Sequence, residues 1–161
     1  MNQALSVGMR APQFSLKDLG GAMVAIAENG ARQLLFFLAP DCPISRSMLP
    51  VLRSVGRDEG EVALVLASDG DERGEHESFV AEMGLTGIPY VISEELGRAY
   101  GVSKVPYAVL IDSDGRIGAL GIVNSREHLE SLFEASERGV ASIQEYLAGE
   151  GERQPGYFEV R

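Results

Sequence analysis

The hydrophobic positions of this chain fall into short apolar runs that alternate with stretches of helical periodicity. Residues 7 to 28 form an entry segment. There Ala11-Pro12-Gln13-Phe14-Ser15-Leu16 is extended around a proline, and Gly20-Gly21 turns the chain into a second short strand, Met23 to Ile26. Gln33 to Leu38 is apolar after its first residue, the pattern of a strand covered on both faces. Leu49, Leu52 and Val55 then recur at helical spacing, predicting a helix from Pro43 to Arg57 with proline favoured in its first turn. Pro50 lies inside that helix and predicts a kink, because it lacks the N–H one helical bond needs. Glu61 to Ala67 holds a second buried strand, Val62-Ala63-Leu64-Val65-Leu66. Asp71 to Met83 reads as a surface helix with Phe79, Val80 and Met83 on one side, stopped by Gly84.

Tyr90-Val91-Ile92 is a short strand, and Glu94 to Tyr100 a short helix closed by Gly101. Tyr107 to Ile111 and Ile117 to Val123 are joined by Asp112-Ser113-Asp114-Gly115, a hairpin turn. Asn124-Ser125-Arg126-Glu127 is a helix start, with an Asn or Ser cap before a first-turn Glu, and Leu129, Leu132 and Phe133 supply the apolar stripe. Gly139 breaks this helix. Val140, Ile143, Tyr146 and Leu147 support one more amphipathic helix over 139–148, and 149–161 reads as a polar, loosely held tail. This order predicts an α/β fold: a central mixed sheet with helices on both faces, ending in an antiparallel hairpin and a covering helix. Residues 1–148 are expected to form one domain with its core over 7–137.

Composition narrows the function. The chain has 161 residues, 45% of them hydrophobic and 24% charged, which suits one globular domain with a proper core. Its net charge of −10 repels phosphate backbones and anionic lipid, so neither nucleic acid nor a membrane surface is an expected partner. Acidic clusters such as Asp69, Asp71, Glu72, Glu75 and Glu77 read as solvated surface. No run approaches the ~20 apolar residues of a membrane helix. The start, Met1-Asn2-Gln3-Ala4-Leu5-Ser6, lacks the layout of a signal peptide. Read literally, the chain is cytosolic and soluble; if an anchor or signal has been removed, that inference lapses.

The only cysteine, Cys42, sits between the buried strand and the mouth of a helix, after Pro40 and Asp41 and before Pro43. A lone cysteine is otherwise a small buried hydrophobe. At a helix N-terminus, however, free amide N–H groups and the dipole favour a thiolate. Arg46 could add positive charge there, while Asp41 works against it. Where a second sulfur would complete a C-x-x-C pair the chain has Ser45. Val105-Pro106-Tyr107 is either a proline opening a strand or a cis peptide that leaves the preceding backbone free to pair with an extended peptide. Ile88-Pro89-Tyr90 has the same local pattern, and spacing alone does not choose between them. His76 lies in the acidic surface stretch and His128 on a helix. Their separation and the lack of other soft ligands argue against zinc, and no metal or cofactor is expected. A Cys42–His128 pair is conceivable, but His128 reads as a surface side chain. Ser45 and Ser47 lack a G-x-S-x-G context, and no P-loop or G-x-G-x-x-G occurs.

Ala39-Pro40-Asp41-Cys42-Pro43, then Ala99-Tyr100-Gly101-Val102 leading into Val105-Pro106-Tyr107-Ala108-Val109-Leu110-Ile111-Asp112 and Asp114-Gly115-Arg116-Ile117, together resemble the thioredoxin-like superfamily. The nearest branch is the redoxins, which include TlpA-type thiol-disulfide interchange proteins and peroxiredoxins. The resemblance implies a three-layer α/β/α fold with an N-terminal redoxin-type β extension and a C-terminal helical extension. It also selects Pro106 as the cis proline. Gly121 to Ala135, followed by Gly139-Val140-Ala141-Ser142-Ile143-Gln144, is similar to the methylamine utilization protein MauD family. That family is implied to handle disulfides while methylamine dehydrogenase matures in the periplasm, usually behind a membrane anchor and with C-P-x-C. Here Cys42-Pro43-Ile44-Ser45 stands in that place.

Three readings follow. In the first, a MauD-type thiol-disulfide oxidoreductase uses Cys42 as attacking thiolate beside Pro43. Val105, Pro106, Pro40 and Asp41 then bind a disulfide-containing client resembling the methylamine dehydrogenase small subunit. Ser45 cannot resolve the adduct. It is either an engineered trap or the natural residue of a monothiol protein resolved by glutathione, or by another external thiol or redox partner. In the second, Cys42 is a one-cysteine peroxidase, although Ala39 and Leu35 stand where that branch places threonine and proline. In the third, the chain is a non-catalytic thioredoxin-like binding module.

Overall fold

The computed structural model describes residues 5–28, 30–58 and 61–138. Strands β1 (Phe14–Lys17) and β2 (Met23–Ile26) pair antiparallel as a separate hairpin. A five-stranded sheet follows in the order β5-β4-β3-β6-β7. It contains β3 (Arg32–Phe37), β4 (Val62–Ser68), β5 (Tyr90–Ile92), β6 (Tyr107–Ile111) and β7 (Ile117–Ile122). β3, β4 and β5 run parallel, while β6 is antiparallel to β3 and β7 to β6. The helices are α1 (Pro43–Asp58), α2 (Arg73–Glu82), α3 (Glu94–Ala99) and α4 (Arg126–Arg138). The further helix expected over 139–148 and the tail over 149–161 lie outside the described residues.

Strand periodicity splits the core into two layers. Leu34, Phe36 and Leu38 face one side, against Met48, Leu49 and Leu52 of α1, Phe79 of α2 and Leu129, Leu132 and Phe133 of α4. Leu35 and Phe37 face the other, against Leu96 and Tyr100 at α3 and Val24 and Ile26 of the hairpin. The third layer of the expected three is therefore α3 together with a β-hairpin. The Gln33 side chain ties that hairpin to β3: its Nε2 donates to the Ala25 carbonyl and its Oε1 accepts from the Ala27 N–H, both at 2.7 Å.

The predicted helix stops are present. Gly84 takes φ +64° after α2, and its N–H donates to Ala81 while Leu85 N–H reaches back to Val80. Gly101, at φ +69°, closes α3 in the same way, with Val102 N–H donating to Gly97. A left-handed residue at this position returns two orphan carbonyls to hydrogen bonding, and glycine adopts it without cost from a side chain. Ser125 is the cap of α4, its Oγ accepting from His128 N–H at 3.2 Å. α1 continues past Pro50, whose exposed position leaves the missing hydrogen bond facing solvent.

Candidate active site

β3 delivers the chain to a turn in which Cys42 N–H donates to the Ala39 carbonyl at 3.1 Å. The Cys42 carbonyl accepts the first helical bond, from Arg46 N–H at 3.0 Å, so Cys42 occupies the capping position of α1. Its sulfur does what a serine or aspartate oxygen usually does there: Ser45 N–H donates to Sγ at 3.4 Å. Burial pushes the thiol pKa up and the charge of Asp41 adds to that. Hydrogen bonds from the Ser45 side chain and from the Ser45 and Ile44 amides outweigh both, and the pKa is lowered from the ordinary 9.0. Cys42 itself is half-exposed, so the sulfur is reachable.

Ser45 is wholly buried. Its Oγ accepts from the Ala39 N–H at 3.3 Å, tying the start of α1 to the end of β3. Pro40 is buried, whereas Asp41 and Pro43 are exposed beside the sulfur. Arg46 departs from expectation. Its Nε donates to the Pro40 carbonyl at 2.6 Å and its Nη1 to Glu82 at 3.0 Å, and the guanidinium lies 5.1 Å from the Phe79 ring centre. It braces the turn and is absent from the groups that set the thiol.

Val105 and Pro106 reach the same end of the sheet through β6. Phe37 pairs with Tyr107, so continuing the antiparallel register brings Pro106 and Val105 opposite Leu38 and Ala39. The Val105–Pro106 peptide is cis. Val105 is 36% exposed, and its N–H and C=O make no hydrogen bond among the described residues. Val105 also lines a cleft of about 230 Å³ with Phe37, Leu38, Ser68, Glu94 and Arg98; Cys42 is outside it.

The histidines correct the sequence reading in two ways. His76 is 2% exposed, not a surface residue: its Nδ1 lies 2.7 Å from the hydroxyl of buried Tyr90. The signal was available, because His76, Phe79, Val80 and Met83 follow i, i+3, i+4, i+7 spacing and share the apolar stripe. His128 is half-buried, with Nδ1 accepting from Asn124 N–H at 3.1 Å at the start of α4, and it is not among the groups acting on Cys42. Among the described residues, no three His, Cys, Asp or Glu side chains are grouped to hold a metal ion. No helix among them is long and apolar enough to cross a membrane.

A Thioredoxin-like family profile matches residues 31–117. Over 144 residues the chain is 46% identical to methylamine utilization protein MauD of Methylorubrum extorquens, covering 88% of this chain and 69% of that relative. It is 31% identical over 140 residues to thiol-disulfide oxidoreductase ResA of Geobacillus thermodenitrificans, covering 80% and 79%. Among solved structures, a candidate thiol:disulfide interchange protein DsbE from Chlorobium tepidum superimposes with a TM-score of 0.74 at 23% identity, over 83% of this chain and 99% of that one. At that identity the likeness speaks for the fold.

Proposed function

This chain belongs to the thioredoxin-like family and, within it, to the methylamine utilization protein MauD family, and on that premise we propose that it is a thiol-disulfide oxidoreductase with Cys42 as its attacking thiolate. The observation that carries the reading is the seat of the sulfur: at the cap of α1, accepting helix N–H donors and held below the ordinary thiol pKa. The thiolate attacks a client disulfide. One client sulfur joins Cys42 in a mixed disulfide and the other leaves as a thiolate. The free backbone of Val105 pairs with the extended client segment, and Pro40, Asp41 and Pro106 frame it. Ser45 offers a hydroxyl where a resolving thiol would attack, so an external thiol must complete the exchange.

The client class follows the family name: a disulfide-rich protein made during methylamine utilization, resembling the methylamine dehydrogenase small subunit. The periplasm, where disulfides persist, is the matching compartment. Incubation with a disulfide-bearing client peptide tests the reading. The wild type should accumulate a reducible one-to-one mixed disulfide, and Ser45→Cys should instead turn over through an internal disulfide between positions 42 and 45. No mixed disulfide in the wild type, or no internal disulfide in the variant, rejects it.

A further inference from the structure

We propose that the cleft beside Val105 is a specificity subsite for a lysine or arginine side chain of the client, with Asp69 as the residue that reads its charge. This rests on the preceding reading, in which an extended client segment pairs with the Val105 backbone.

The cleft, of about 230 Å³, opens outside the carboxyl ends of the parallel strands β3 and β4. There the chain leaves β5 through α3 and places β6 on the far side of β3. Open α/β sheets take ligands in crevices at such a reversal of strand order. Strand order also lays out the chemistry of the cleft. Val105 precedes β6, Leu38 follows β3 and Asp69 follows β4, so Val105 and Asp69 stand two strands apart, about 10 Å at the usual spacing. Phe37, Leu38 and Val102 join Val105 as apolar lining, while Asp69, Glu94 and Arg98 carry the charges. The rim is laced together. Ser68 Oγ donates to the Leu38 carbonyl at 2.8 Å, Leu38 N–H to Ala67 at 2.9 Å and Ser93 N–H to Ser68 at 2.8 Å. A cleft formed in advance spares an incoming side chain the cost of ordering it.

Charge chooses the occupant. Arg98 Nη1 lies 3.4 Å from Glu94 Oε2, so those two balance each other. Asp69 has no hydrogen bond or ion pair among the described residues. Lys104, exposed just before Val105, is not part of the lining. Asp69 and Glu94 also wall an adjoining hollow with Asp71, which keeps the potential at this end negative. An apolar approach that ends on an unbalanced carboxylate suits an aliphatic stem with a cationic head. A short side chain does not span the distance, and the carboxylates of glutathione are repelled. Paired strands place opposite residues on one face, and the Val105 side chain lines the cleft. The client residue opposite Val105 therefore points the same way and its immediate neighbours point away. The cleft reads alternate positions of the client.

The test uses peptides in which one lysine is moved through the positions flanking a serine that replaces the reactive cysteine. Composition and net charge stay constant. Binding to the wild-type protein is followed by the NMR shifts of the Asp69, Val102 and Val105 amides. Lysine at alternate positions should bind about threefold to fivefold more tightly than lysine at the positions between. Asp69→Asn should remove the alternation, and Asp69→Lys should transfer it to peptides carrying glutamate. Glu61→Gln makes the same change of charge at the opposite end of β4 and should keep it. Equal or absent binding at every lysine position, or alternation that survives Asp69→Asn, overturns the proposal. Cleft signals moved by glutathione and not by the lysine peptides overturn it in favour of the external thiol. Signals moved by protein concentration alone overturn it in favour of a second copy of this chain. These peptides hold no sulfur. Alternation without a mixed disulfide from the cysteine-bearing client peptide therefore rejects the oxidoreductase reading alone, and capture without alternation rejects the subsite alone.

Discussion

A sulfur at a helix cap binds its proton less tightly than the same sulfur in an unfolded chain, and that difference has a thermodynamic sign. With the native thiol below its ordinary 9.0, the folded state carries fewer protons between the two values, so stability rises with pH across that window. It is lost as pH falls through the native midpoint. His128 adds a rise of the same sign lower down: burial lowers its pKa below 6.5 despite the opposing charge of Glu127. Urea unfolding at stepped pH should show both rises, and Cys42→Ala should remove only the upper one. Asp112 works oppositely. Burial raises its pKa above 3.8, outweighing the Ser136 hydrogen bond and the charge of Arg32, so its contribution is present at acid pH and lost as pH rises through the native value. At this scale the seat of Cys42 and the opposing charge of Asp41 were legible, because both depend on neighbours in sequence. The diversion of Arg46 to Glu82 was not, since its partner lies 36 residues away.

Among the elements, helix stops and turn residues were readable because they are local backbone chemistry. What packs on what was less so. The β6–β7 hairpin shows the difference: its turn was evident, but the close approach at Gly118 was not. A Cβ built there would lie 2.5 Å from Asp112 Oδ1 and 2.7 Å from Ser136 Oγ, which are themselves hydrogen-bonded. Gly118→Ala should cost about 1–3 kcal/mol in thermal unfolding through overpacking. The cost should shrink in an Asp112→Ala background, because the two positions share a contact. Tyr100 is a second long-range tie: its hydroxyl donates to the Pro12 carbonyl at 2.5 Å and holds the entry segment to α3. Tyr100→Phe should lose about 1 kcal/mol while leaving the sulfur untouched.

For the molecule as a whole, charge selects the encounter. A net charge of −10, with Asp41 beside the sulfur and Glu94 at the neighbouring cleft, draws cationic segments in and repels anionic ones. Cys42 should exchange with a cationic peptide disulfide faster than with an anionic one of equal length. Because salt screens this steering, the two rates should converge as ionic strength approaches about 1 M. Equal rates at low salt would assign client choice to the Val105 backbone and the cleft instead.

The sequence by itself determined the α/β class, the strand and helix boundaries to within a few residues, and the placement of Cys42 at a helix mouth. Those features arise from periodicity, turn chemistry and capping, all of which act over a few residues. Only the tertiary structure decided that the partner of His76 is Tyr90, that Arg46 braces the turn, and that the hairpin completes a layer beside α3. It also decided that Val105 and Pro106 reach the sheet end where the Cys42 turn begins. Each of these depends on strand order and on pairing between distant segments, and no local pattern encodes which β-strand lies beside which.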